Sequence, residues 1–202
     1  MSSVATIKRN VNPPHLEVKG GYPLTGVLKV SGAKNSSLVL MAAALLTKET
    51  LSIKNVPQLT DIHLMSEILS NLGAKLTNSG NSIKINSEVI HNAELPYRLV
   101  HSLRASFFCI GPLLTRLGEA KVPLPGGCNI GARPVDEHIN GLKALGAEVE
   151  INNDVVKAKV STKNKRLHGA NITLAYPSVG ATETVLMASC LALGKTTISN
   201  AA

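Results

Sequence analysis

Aromatic residues make up only 2% of this 202-residue chain, and tryptophan is absent. Its core must therefore be built from Ala, Leu, Ile and Val, and single-stranded nucleic-acid binding by base stacking is disfavoured. Cysteine is scarce too. Residues 109, 128 and 190 form neither a metal-ligand spacing nor a C-x-x-C pair, and their number is odd, so a reduced cytoplasmic setting is expected. The longest wholly apolar run, Leu38 to Leu46, is far too short to span a bilayer, and Met1 to Arg9 holds no apolar signal stretch. Two nucleotide motifs also fail. Gly194-Lys195-Thr196 looks like the end of a P-loop, but that motif needs glycine where Ser189 stands, and a helix precedes it instead of following. The glycines from 126 to 131 do not have dinucleotide-fingerprint spacing.

What is present is positive charge and a large apolar fraction. Lys+Arg number 21 against 13 Asp+Glu, a balance of +8 that suits an anionic partner (a nucleotide, a phosphorylated metabolite, nucleic acid or a membrane surface) without choosing among them. The basic residues are scattered. Their densest cluster, Lys163-Asn164-Lys165-Arg166, lies between strand-like segments and reads as a solvated turn. With 44% hydrophobic residues the chain should fold, into one good core or two small ones.

The chain repeats itself. Leu72-Gly73-Ala74 and Leu145-Gly146-Ala147 each close an amphipathic helix at glycine, a common helix stop, and lie 73 residues apart (72 to 145). Alternating strand pairs follow both, at Ser82–Ile85 and Val155–Val160. Leu40-Met41-Ala42 returns as Leu186-Met187-Ala188, and Ile53-Lys54-Asn55 as Ile198-Ser199-Asn200, two periods later; Arg104 to Leu114 supplies the middle copy of the apolar helix. The expected unit is strand, helix, strand, helix and paired strands (βαβαββ), an α/β (α+β) pattern. Its first strand is expected at Gly26 to Val30 and its first helix at Ser36 to Leu46. By the same period, the second helix of the third unit falls near position 218, so the third unit is expected to be incomplete and the chain cut short.

Three polar segments stand at matching places in these units. Ser31-Gly32-Ala33-Lys34-Asn35 precedes the first helix, where free N–H groups and the helix dipole collect anions. By position alone, a capped helix with a solvated lysine fits Lys34 somewhat better; its company reverses that preference. Arg104 opens the middle copy and Ser178-Val179-Gly180-Ala181-Thr182 the third, which suggests one face given over to anions.

The most specific segment is Pro125-Gly126-Gly127-Cys128-Asn129-Ile130-Gly131-Ala132-Arg133-Pro134-Val135-Asp136. A cysteine among glycines, with a guanidinium five residues on, reads as a mobile loop carrying a reactive thiolate over an anionic substrate. Cys109 and Cys190, in apolar helical runs, read as small structural core residues. His138 either orients a substrate or caps the following helix; the sequence favours neither.

Taken in order, the Lys34 segment, the Cys128 loop and the Ser178 segment resemble those of the UDP-N-acetylglucosamine enolpyruvyl transferases, over about Leu16 to Ala202. Shikimate-pathway enolpyruvyl transferases, the next relatives, lack such a cysteine loop. The resemblance implies an inverted α/β barrel in each of two domains, with the active site between them. Residues 1–30 would be an N-terminal segment packing with a second domain, and 31–202 a first domain truncated in its third repeat. It further implies that Cys128 protonates C3 of phosphoenolpyruvate and is the target of fosfomycin. Lys34, Asn35 and Arg133 would bind phosphoenolpyruvate. Arg104, Arg133, Pro134, Val135, Asp136, Glu137, Ser178, Val179 and Gly180 would bind UDP-N-acetylglucosamine. Some members carry lysine near Tyr176-Pro177, so that nucleotide contact differs here. No cofactor or metal is implied, nor any nucleic-acid or membrane partner; a separate C-terminal half would supply the catalytic aspartate. The activity implied is the first committed step of peptidoglycan synthesis, and hence a part in cell-wall biogenesis, cell shape and cell division. The alternative is an inactive fragment that binds sugar nucleotide or a partner protein.

Overall fold

The computed structural model describes residues 20, 21, 23–125, 134–161 and 166–202. The chain divides into two units, Met1–Val30 and Ser31–Ala202. In the first, the described residues form neither helix nor strand, and Leu24, Val27, Leu28 and Val30 are exposed. The strand expected at Gly26 to Val30 is thus not formed. A strand needs a hydrogen-bonding neighbour as well as an apolar pattern, and no ladder includes these residues.

The second unit follows the repeat. α1 (Lys34–Ala43) continues as a 3₁₀ turn (Ala44–Leu46) into β1 (Thr50–Ile53), α2 (Thr60–Leu72) and the hairpin β2 (Lys75–Ser79)–β3 (Ser82–Asn86). α3 (Tyr97–Ser102), a 3₁₀ helix (Arg104–Cys109) and α4 (Ile110–Leu117) lead to β4 (Glu119–Pro123), α5 (Asp136–Ala144) and the hairpin β5 (Ala147–Asn152)–β6 (Val155–Val160). The third copy consists of β7 (Asn171–Thr173), α6 (Val179–Ser189) and β8 (Thr197–Ser199). The first two sheets have the same antiparallel order, β1-β3-β2 and β4-β6-β5, while β7 pairs with β8 in parallel. A parallel bridge between Glu94 and Lys121 is the second unit's version of that pairing.

Local chemistry explains the boundaries. Gly73 and Gly146 adopt φ of 112° and 93°, a left-handed turn open to glycine at little cost, so each helix reverses into its hairpin there. Asn55 and Asn200 take the same hand (φ 57° and 54°) after β1 and β8, and asparagine tolerates this conformation best after glycine. The middle helix is broken where the other two are continuous. Pro112 has no N–H to give residue 108; α4 therefore starts at Ile110, putting the proline in its first turn, and the preceding six residues wind as 3₁₀.

The core is aliphatic, as the composition requires. Met41, Leu45, Met65, Leu69, Ile110, Leu113 and Leu114 are among its fully buried side chains, and Phe107 is the one aromatic in it among the described residues. On the sheets, Leu51, Ile85 and Leu76 align across one row and Val122, Val156 and Ile151 across another. Cys109 is buried as expected. Cys190 is not: it sits at the C-terminal end of α6 and is exposed, on the same side as Leu186 four residues earlier, because that face of α6 is uncovered.

Candidate anion-binding site

Several helix beginnings open on one pocket of about 660 Å³. α1 brings Lys34 and Asn35; its N-cap is Ala33, whose side chain cannot satisfy the first-turn N–H groups. The 3₁₀ helix brings Arg104, and Pro134 and Val135 enter from just before α5. α6 brings Val179 and Gly180 behind its cap Ser178, whose Oγ accepts from the Ala181 N–H at 3.3 Å. Eight residues assigned from sequence are thereby brought together from four separated segments. The two long helices direct the positive ends of their dipoles here, and Lys34 and Arg104 add full charges.

Two others point elsewhere. Asp136 and Glu137 begin α5 but are not part of the pocket wall. Glu137 is buried; its carboxylate accepts from the Ala175 N–H at 2.6 Å and from Asn140 Nδ2 at 3.2 Å. It holds in place the strand end that leads to Ser178. Cys128 and Arg133 lie outside the described residues, although Pro125 and Pro134, on either side in sequence, both line the pocket.

His138 is settled by the structure as a wall residue and not a cap. It is buried, its Nδ1 lies 2.9 Å from Thr184 Oγ1, and its ring stands edge-on to Phe107 at 5.1 Å between centroids. Burial, and secondarily the charge of Arg104, lowers its pKa to about 4, so it is neutral at pH 7. Gly180 permits this: a Cβ there would sit 3.1 Å from His138 Cε1.

Sequence reasoning missed two carboxylates. Asp61, in the first turn of α2, pairs with Lys34 at 2.7 Å and also lines the pocket. Glu183 lies on the pocket face of α6, one turn after Val179 and Gly180, and burial raises its pKa. The i, i+3/i+4 spacing from Val179 and Gly180 was the available signal for Glu183. Asp61 offered none, because its partner lies in another helix. The pocket wall thus carries two cations, Lys34 and Arg104, and two acids, Asp61 and Glu183, beside the helix starts, suited to a ligand with both phosphate or carboxylate groups and hydrogen-bond donors. No group of His, Cys, Asp and Glu among the described residues could hold a metal ion.

A repeated α/β unit whose helix starts gather at one polar pocket agrees with an enolpyruvyl-transferase type of fold, and comparison supports this directly. The family model described as EPSP synthase (3-phosphoshikimate 1-carboxyvinyltransferase) matches residues 18–202, and the chain belongs to that family. Within it, the chain is 86% identical over all 202 residues to the UDP-N-acetylglucosamine 1-carboxyvinyltransferase of Prochlorococcus marinus strain NATL2A, and 58% identical to that of strain MIT 9313. It spans 44% and 46% of the lengths of these two curated relatives. Among solved structures, the enolpyruvyl transferase NikO from Streptomyces tendae superposes with a TM-score of 0.74 at 23% identity, covering 89% of this chain and 41% of NikO. EPSP synthase from Acinetobacter baumannii gives 0.66 at 16%, covering 86% and 40%. At such identities these structures speak for the fold alone.

Proposed function

We propose that this chain provides the phosphoenolpyruvate- and nucleotide-binding part of a UDP-N-acetylglucosamine enolpyruvyl transferase. The observation that most supports this reading is the convergence of Lys34, Asn35, Arg104, Pro134, Val135, Ser178, Val179 and Gly180 on one pocket. In the proposed reaction the sugar 3′-hydroxyl adds to C2 of phosphoenolpyruvate while C3 takes a proton from Cys128. The tetrahedral adduct then loses a proton from C3 and expels inorganic phosphate from C2, which restores the double bond and leaves the enolpyruvyl ether. Lys34, Asn35 and Arg133 hold phosphoenolpyruvate, and the charges beside its phosphate and carboxylate stabilise the developing anion. Arg104, the 133–137 segment and the start of α6 hold the sugar nucleotide, whose diphosphate suits a helix N-terminus. Cys128 is the proposed fosfomycin target. The setting is cytoplasmic, in peptidoglycan synthesis and so in cell-wall growth and division; among the described residues no helix is long and apolar enough to cross a membrane.

Phosphate release from phosphoenolpyruvate plus UDP-N-acetylglucosamine tests this. Cys128→Ala should lower it at least about 100-fold, the usual contribution of a positioned general acid, while Cys109→Ala keeps most of it. Equal losses would overturn the loop assignment. A second reading is sugar-nucleotide binding without turnover until a complementing half is supplied. Sugar-nucleotide binding with no phosphate release, restored by that half, is its signature.

A further inference from the structure

The helix that brings Lys34 to the pocket has no means of closing its own far end. α1 and its 3₁₀ extension finish at Leu46 with no basic residue in the last turn, and the following Thr47 is extended, so no glycine turn gathers the last carbonyls. α2 and α4, by contrast, end in left-handed Gly73 and Gly118. Unpaired terminal carbonyls need donors from elsewhere.

Arg116, in the last turn of α4, supplies them. Its Nη1 donates to Leu45 O at 2.8 Å and to Thr47 O at 3.0 Å; its Nη2 donates to Ser87 O at 2.5 Å and to Glu88 O at 3.1 Å. One half-buried guanidinium thereby ties the end of the first helix, the exit of the β2–β3 hairpin and α4. The planar fork is suited to this, since it presents paired donors in fixed directions. The same place in the third unit is treated alike. Leu191 O, 146 residues after Leu45 (45 to 191, as Met41 is to Met187), accepts from Arg166 Nη2 at 2.9 Å. Thus the two helices with functional N-termini each receive an arginine at the C-terminal end.

We propose that Arg116 is a positioning residue for the Lys34–Asn35 end of the pocket, acting along α1. Besides the half-exposed Lys34–Asp61 pair at its start, the helix is held by Leu38, Met41, Ala42 and Leu45, buried in non-directional apolar contacts. A cation fixed on the terminal carbonyls sets its axial position and complements the helix dipole. Lys34 lies roughly 17 Å away along the axis, and displacements near 1 Å at a reacting centre can cost about 100-fold in rate. The functional half of this inference rests on the proposed reading of the pocket.

Hydrogen exchange followed by mass spectrometry tests it. In Arg116→Gln, exchange of the hydrogen-bonded amides 37–40 of α1 should rise on the order of tenfold, the consequence of losing a charge-assisted bond, while residues 182–186 keep their native rate. Exchange that rises at 44–47 and 87–88 but stays native at 37–40 would make Arg116 a local tie and overturn the proposal. If Arg116→Gln fails to fold, shown by faster exchange throughout α5, Arg116→Lys decides by the same criterion: it keeps the charge but loses the fork, so a smaller rise at 37–40 supports the proposal and a native rate overturns it. Protection of 34–38 by phosphoenolpyruvate in the unsubstituted protein tests the pocket reading separately, so the two can fail independently.

Discussion

At the scale of single residues, the three cysteines show how little a side chain's identity says without its surroundings. Cys109 is wholly buried against apolar neighbours, and that burial pushes its thiol up to about 12. At neutral or mildly alkaline pH it is a thiol, and thiols do not attack electrophiles as thiolates do. Cys190 ends α6 in solvent, with its Sγ 3.4 Å from Leu186 O. A maleimide reagent at pH 8 should therefore label Cys190 in the folded protein and Cys109 only after denaturation, as peptide mass mapping would read. Prompt native labelling of Cys109 would contradict its place in the core. Both had looked alike in sequence because each follows an apolar run; the difference comes from which face of its helix is covered, a property of the neighbours.

At the scale of elements, the close crossing of three helices depends on side chains that are missing. Gly141 of α5 faces α6 so tightly that a Cβ would lie 2.2 Å from Val185 Cγ2, and at Gly111 of α4 it would lie 2.6 Å from Thr184 O. Alanine is a better helix former than glycine by about 1 kcal/mol. Overpacking a filled core costs about 1–3 kcal/mol, and Val185 is fully buried and stiff at its branched Cβ, so the clash should win. Gly141→Ala is expected to be destabilised by about 1–2 kcal/mol in urea unfolding. Adding Val185→Ala should recover part of that loss, because the two sites share one contact. Neither glycine was marked by the sequence, which shows a glycine's local freedom but not what stands opposite. Helix stops at Gly73 and Gly146, both hairpins and the repeat itself were legible because they follow from local periodicity and turn chemistry. The strand at 26–30 was misread for the converse reason: its pattern is local, but its formation depends on a pairing partner.

At the scale of the whole molecule, the pocket's polarity becomes a pH dependence of folding. Eight of its wall residues were legible in the sequence: Lys34, Arg104 and the Ser178 segment from their place in the repeat, the others through the family resemblance. Asp61 and Glu183, and the neutral state of His138, were not, since they depend on contacts between units. Desolvation, with the Arg104 charge second, lowers His138 from 6.5 to about 4. Unfolded chains take up that proton near pH 6.5, and the folded protein near pH 4, so the unfolded state binds more protons between these values. Stability from this group is complete above pH 6.5 and falls as pH drops through the window, by about 3 kcal/mol at pH 4 given 1.36 kcal/mol per unit. Glu183 has the opposite sign: its raised pKa favours the protonated form in the fold, which helps at low pH and is lost as pH rises. His138→Gln keeps a group able to bond Thr184 and removes the titration while leaving Glu183 alone. Urea unfolding at pH 7.5 and 4.5 should then show the unsubstituted protein losing about 2–3 kcal/mol more than the variant. Parallel losses would mean that the imidazole is protonated inside the fold at no cost, placing it in water and not in the pocket wall.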